Sequence, residues 1–237
     1  MNSPPLTEDP SGIAPADTPR VRRLGVRNYV ETWRDMQAFT ARRDTGTADE
    51  IWLLEHPPVY TLGLNAKHGE FVNPAAIPVI RTDRGGDITY HGPGQLVAYV
   101  LIDLRRRRLG IKALVAALEQ SVLDLLAAEG IRGERRPGAP GVYVDGRKLA
   151  QLGLRVRGGA CYHGLSLNVA MDLAPFDRIN PCGYPELAVT QLADLLPGRA
   201  VAAGTAAAAD RLLPYLLYNL GYNSRPNDGP VRADDPR

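Results

Sequence analysis

Leu96-Val97-Ala98-Tyr99-Val100-Leu101-Ile102 is an unbroken apolar run, and it follows directly on the turn His91-Gly92-Pro93-Gly94-Gln95. A short apolar run bounded by turn residues reads as a buried strand, here from Leu96 to Leu104. Such a strand has to be enclosed by other elements, so the chain must fold in layers. The segment before it is equally restrictive. Residues Arg84 to Gln95 read RGGDITYHGPGQ, with four glycines in twelve positions. Glycine pairs allow positive φ and close approach by a ligand or another backbone. Polar groups on a loop held by a rigid strand are where binding and catalysis concentrate.

The remaining pattern predicts strands at Val21 to Val26, Ile51 to Glu55, Val59 to Leu62, Val79 to Thr82 and Gly164 to Ala170. Gly141 to Val144 and Leu149 to Val156, joined at Asp145-Gly146, read as a β-hairpin. Tyr29 to about Arg43 has helical spacing. Ile111 to Glu129 is the clearest helix, with Ile111, Leu114, Val115, Leu118, Val122, Leu125 and Leu126 on one face. Thr205 to Leu220 is helical too, with Pro214 expected to bend or break it. Strands joined by hairpins with few helices between them predict an α+β fold rather than a doubly wound parallel sheet. Residues 1–19 are Pro-rich and expected to be disordered, 224–237 is expected to be a second loose tail, and 20–223 reads as one domain.

With 237 residues and 44% hydrophobic content, a sizeable core is available. No apolar run is long enough for a bilayer, and the N-terminus lacks the apolar core of a secretory signal. The two cysteines, Cys161 and Cys182, point to free thiols and a cytoplasmic setting. A net charge of +2 argues neither for nor against nucleic acid. The Arg105-Arg106-Arg107-Arg108 run reads most simply as a solvated loop, with docking of an acidic partner as the sharper alternative. No phosphate-loop pattern follows the glycine pairs. Cys161 and His163 lack a second pair at zinc spacing, so no metal is expected.

Cys182 lies in a turn between Pro181 and Gly183, which suits a thiol offered to a cleft; nucleophile and inert thiol both remain open. For Cys161 a loop or strand-end thiol is expected. Arginine outnumbers lysine 25 to three, and the three are Lys67, Lys112 and Lys148. A lysine can give up a proton at working pH and an arginine cannot. Lys148 is either a strand-end charge or a cation that lowers a thiol pKa. His91 and His163 each precede glycine, as cleft-lining or structural histidines would.

Arg84-Gly85-Gly86-x-x-Thr89-Tyr90-His91-x-x-Gly94-Gln95 resembles the signature of the lipoyl(octanoyl) transferases. Further blocks stand in that family's order: Leu54 to Gly63, Gly141 to Val144, Lys148 to Gly153, His163 to Val169 and Asn180 to Gly183. The resemblance runs from about Leu53 to Leu192. It implies a mixed sheet flanked by helices, the two-layer architecture of biotin and lipoate protein ligases. It implies octanoyl transfer from octanoyl-acyl carrier protein to a specific lysine of lipoyl domains in 2-oxoacid dehydrogenases and the glycine cleavage H protein. Cofactor, nucleic acid and membrane have no place in that reaction.

By motif position, Cys182 becomes the acyl-thioester nucleophile, and Lys148 the residue that lowers its pKa and relays protons. The substrate pocket becomes Arg84, Gly85, Gly86, Asp87, Ile88, Thr89, Tyr90, His91, Gln151, Leu152, Gly153, Gly164, Leu165 and Ser166. Gln151 departs from the family pattern, where a small residue is common. If its side chain faces the pocket, it narrows it or changes the preferred chain length. Two rivals stand beside this reading: an ATP-dependent lipoate or octanoate ligase on the same scaffold, and a non-catalytic module binding carrier protein or nucleic acid.

Overall fold

The computed structural model describes residues 18–66, 77–179, 188–223 and 226. Most of both expected tails, together with Lys67, His68 and Cys182, lie outside the described residues. The elements run β1 (Arg20–Val26), α1 (Tyr29–Ala41), β2 (Glu50–Glu55), β3 (Val59–Leu62), β4 (Val79–Arg81), β5 (Ile88–His91), β6 (Gln95–Asp103), α2 (Ile111–Ala128), β7 (Gly141–Val144), β8 (Arg147–Arg157), β9 (Ala160–Asn168), α3 (Leu192–Leu195) and α4 (Thr205–Asn219). The larger sheet has the order β1-β2-β6-β9-β8-β7 and the smaller one β4-β3-β5. Only β1–β2 and β3–β4 pair in parallel; the others are antiparallel. This is the mixed α+β architecture expected from the sequence.

The apolar run occupies β6, one of the two central strands of the larger sheet, hydrogen-bonded on both edges, to β2 and β9. Alternation splits it. Leu96, Ala98, Val100 and Ile102 join the main core with Leu114, Leu118, Val122, Leu125 and Leu126 of α2 and Leu212 and Leu216 of α4. These two layers are the expected pair. Val97, Tyr99 and Leu101 point the other way, where Met36 of α1 covers part of the sheet. The small sheet has a third cluster of its own around Tyr60, Tyr90 and Phe176. Asn28 caps α1, its side chain accepting from the N–H groups of Val30 (2.9 Å) and Glu31 (3.3 Å).

Four expectations need correction. The glycine segment contains a strand, β5, whose residues Ile88 to His91 are all buried and pair with β3. Strand β9 begins at Ala160, earlier than expected, so of the two expected settings Cys161 takes the strand end, where it is fully buried. Helix α4 runs unbroken through Pro214, which sits on its exposed side. The carbonyl of Asp210, one turn earlier, can take its hydrogen bond from water instead of the missing N–H. The arginine run is not simply solvated. Arg106 pairs with buried Asp49 at 2.7 Å, and Arg107 donates to the carbonyls of Leu220 (2.8 Å) and Gly221 (2.7 Å) while stacking on Tyr222.

Candidate active site

A cleft of about 560 Å³, its open mouth included, lies on the sheet face opposite α2 and α4. Its walls are the segment 84–91, the strands β6, β8 and β9, and Tyr29 at the start of α1. Of the residues expected there, Arg84, Gly86, Asp87, Ile88, Thr89, His91, Gln151, Leu152, Gly153, Gly164, Leu165 and Ser166 line it, and Lys148 joins them. Gly85 and Tyr90 do not. Gly85 donates its N–H to the Leu154 carbonyl at 2.8 Å, and Tyr90 alternates outward to meet Phe176 edge-on.

Lys148 reaches the cleft because β8 contains a bulge. Val142 pairs with Ala150 but Tyr143 pairs with Lys148, so Leu149 is an extra residue. Leu149 and Ala150 both face the main core, and Lys148 is thereby turned to the same face as Gln151. Lys148 is 2% exposed, and its Nζ lies 5.4 Å from the centroid of the Tyr143 ring. Its stem passes over Gly141, where a Cβ would fall 2.6 Å from Lys148 Cε. The Lys148 backbone also holds the chain that follows residues 180–187. Its N–H donates to Ala188 O at 2.8 Å, and Thr190 N–H donates to its carbonyl at 3.0 Å.

His163 enters the cleft by a second departure from alternation. Its neighbours Cys161 and Leu165 face the main core, as regular spacing would have His163 do. A φ of +64° turns it to the other face, where it stacks on Tyr162 at 5.1 Å. Its Nε2 donates to Asp83 Oδ1 at 3.0 Å. Asp83 also accepts from Trp33 Nε1 (2.8 Å), Gln37 Nε2 (3.1 Å) and the Tyr162 hydroxyl. Burial pushes the Asp83 carboxyl up, but the hydrogen bonds from His163, Tyr162, Gln37 and Trp33 outweigh it and hold it well below the ordinary range. His163 itself is pushed down, chiefly by burial, so it serves as a neutral donor.

Two more histidines complete this wall. His56 Nδ1 donates to Arg27 O at 2.7 Å, which leaves Nε2 to accept from the Tyr99 hydroxyl at 2.7 Å. His91 Nδ1 donates to Gln95 Oε1 at 2.7 Å, and its ring stacks on Tyr29. Burial lowers His56 to about 4 and His91 to about 3, so both are neutral near pH 7. Gln95 passes the chain to Asn168 Oδ1 (2.9 Å), and Asn168 Nδ2 to Thr190 O (2.9 Å). An unbroken hydrogen-bond path thus joins the glycine segment to the residues bridged with Lys148.

Arg84 is buried and braces the segment. Its guanidinium donates to Thr61 O (2.6 Å), Thr61 Oγ1 and Gly85 O (3.0 Å). Two cleft atoms are buried without a hydrogen-bond partner, Gln151 Nε2 and Thr89 Oγ1. Cys161 has its Sγ 3.3 Å from Val100 O, on the core side of β9 and away from the cleft. Burial pushes its thiol up to about 12, so it is no nucleophile. Tyr29, Val97, Tyr99 and His163 line the cleft without having been assigned to it. Alternation along β6 would have found Val97 and Tyr99; no local signal marks Tyr29.

A deep, glycine-bordered cleft carrying one buried lysine, on this sheet, defines the class. Residues 28–213 match the model of the lipoyl protein ligase A/B catalytic domain, and the chain belongs to that family. The lipoate-protein ligase A structure bound with ATP shares the fold, with a TM-score of 0.68, 16% identity and 85% of each chain covered. Within the family the chain groups with the octanoyltransferases. It is 65% identical to an octanoyltransferase of Thiobacillus denitrificans over 74% of this chain and 80% of that protein. It is 55% identical to one of Nitrosococcus oceani over 88% of this chain and 92% of that protein.

Proposed function

We propose that the chain moves an octanoyl group from the thioester of an acyl carrier protein to the side-chain amine of a lipoyl-domain lysine, through an octanoyl thioester on Cys182. The observation that carries the reading is Lys148, buried in the wall of the glycine-bordered cleft and bridged through its backbone to Ala188 and Thr190. Cys182 is six residues before Ala188. That length of chain spans at most about 20 Å, so the thiol can reach the amine. With Cys161 buried on the far face, Cys182 is the cysteine left to act.

In the first half-reaction the Cys182 thiolate attacks the donor carbonyl carbon. A C–S bond forms, the tetrahedral oxyanion collapses, and the carrier's thiolate leaves and takes the proton that Lys148 held, which leaves Lys148 neutral for the second step. Exchange of one thioester for another is nearly isoenergetic, so no ATP is required. In the second, the acceptor amine attacks the acyl-enzyme and loses a proton to Lys148. The amide forms and the Cys182 thiolate departs. A cation beside the thiol favours the thiolate in both steps. The acceptors would be the lipoyl domains of 2-oxoacid dehydrogenases and the glycine cleavage H protein, met in the cytoplasm. Among the described residues, no helix is long and apolar enough to cross a membrane.

The test is intact-mass spectrometry after incubation with octanoyl-carrier protein, with and without ATP. An octanoyl adduct on Cys182 without ATP, absent in Cys182→Ala, is expected. An adduct that needs ATP would favour a ligase, and its absence in both conditions would sink the reading.

A further inference from the structure

We infer that the side-chain amide of Gln151 donates a hydrogen bond to the carbonyl oxygen of the bound acyl group and strengthens it as that oxygen gains charge. This rests on the acyl-transfer reading above. Gln151 is 7% exposed and lines the cleft. Its Oε1 is held by the Ser166 hydroxyl at 2.8 Å, from the facing position on β9. Its Nε2 is buried with no hydrogen-bond partner among the described residues. A buried donor left unpaired is costly, so this one is aimed at an acceptor that arrives with the ligand. A saturated acyl tail consists of methylenes. The acyl group's one acceptor is its carbonyl oxygen.

Position selects the same atom. The bulge at Leu149 makes Lys148 and Gln151 successive side chains on the cleft face of β8, with Gly153 next. Gly153 and its β9 partner Gly164 line the cleft too, but Gly153 is closely covered by Arg84 Cδ and Gly85 O. The amide therefore stands at the Lys148 end of the cleft, where the reacting carbonyl belongs. There it meets the oxygen that becomes an oxyanion when the thiolate adds, and the bond is stronger in that state than in the ground state. Ser166 acts as a positioning residue by fixing which end of the amide faces the cleft.

Gln151→Met keeps length and volume and removes the donor. In single-turnover acylation from octanoyl-carrier protein, it is expected to slow formation of the Cys182 adduct on the order of 100-fold. The half-saturating donor concentration should stay unchanged. Infrared difference spectra with octanoyl labelled at the carbonyl carbon read the bond directly: the C=O stretch should rise in frequency in the variant's acyl-enzyme. Ser166→Ala frees the amide to rotate and should give a smaller loss and upshift; it carries the test if Gln151→Met does not fold. Wild-type rates and an unchanged stretch in the folded variants would overturn the inference. If the wild-type chain itself forms no Cys182 adduct, the acyl-transfer reading falls first.

Discussion

Replacing Asp83 by alanine removes one acceptor from four donors. Two of them, the Tyr162 hydroxyl and His163 Nε2, belong to residues only 1% exposed, although the Asp83 side chain is 24% exposed and water can enter part of the space it vacates. Each such bond to a charged acceptor contributes about 1.5–3 kcal/mol, so the pair is worth roughly 3–6. Trp33 and Gln37 are half-buried and can be rehydrated, so they add little. Against this, His163 without its anchor can leave the left-handed region and recover about 1–2 kcal/mol. The net expected loss is about 1–5 kcal/mol, toward the lower end where water enters the vacated site, and still a sizeable part of a typical domain's stability. Urea unfolding of wild type and Asp83→Ala at pH 7 measures it. Because the folded carboxyl is held below its ordinary value, its contribution is complete above the unfolded value of about 3.9. It is lost only as pH falls through the lower folded value, so the gap between the two proteins should be constant from pH 7 to about pH 5. A difference below about 1 kcal/mol at pH 7 would refute the anchoring argument.

The buried histidines predict acid sensitivity of their own. His56 and His91 are pushed down to about 4 and about 3, so below about 6.5 the unfolded chain binds protons that the folded one refuses. Stability should be full above that value and fall toward pH 4, by up to about 1.4 kcal/mol per pH unit for each histidine; a flat urea midpoint from pH 7 to 5 would count against neutral burial. Gly141→Ala forces a Cβ to 2.6 Å from both Ala150 O and Lys148 Cε at a φ of +146°, so thermal stability and turnover should both drop, and a variant with neither change would show that Lys148 is not seated there. Lys148→Arg keeps the charge but cannot accept a proton, and should lose most of its steady-state octanoyl transfer; near wild-type rates would mean that charge suffices.

The periodic elements were legible because burial dictates them. The apolar stripe of α2 from Leu114 onward, the Asp145-Gly146 hairpin and the run in β6 stand where the pattern put them, while Ile111, expected on that stripe, is exposed. Strand β5 was hidden because Ile88-Thr89-Tyr90-His91 sits among glycines and mixes polar with apolar residues. Its pairing with β3 comes from contacts the local sequence does not encode. Most of the cleft was found through resemblance to a family, residue by residue. Periodicity would have sent Lys148 and His163 into the wrong layer, since each depends on a local break in alternation. Asp83, which anchors His163 from 80 positions away, could be found only in three dimensions.

The bulge at Leu149 sets a rule of parity. Residues on one face of a regular strand are separated by even numbers, yet Lys148 and Gln151 share the cleft at a separation of three. Deleting Leu149 would restore even counting and keep both strands paired. The lysine would stay on the cleft face, two positions from Gln151. Straightening the strand without removing a residue would instead turn the lysine to the opposite side of the sheet, among leucines. For relatives and redesigned versions of this hairpin, the number of residues between lysine and glutamine therefore has to be read together with the bulge.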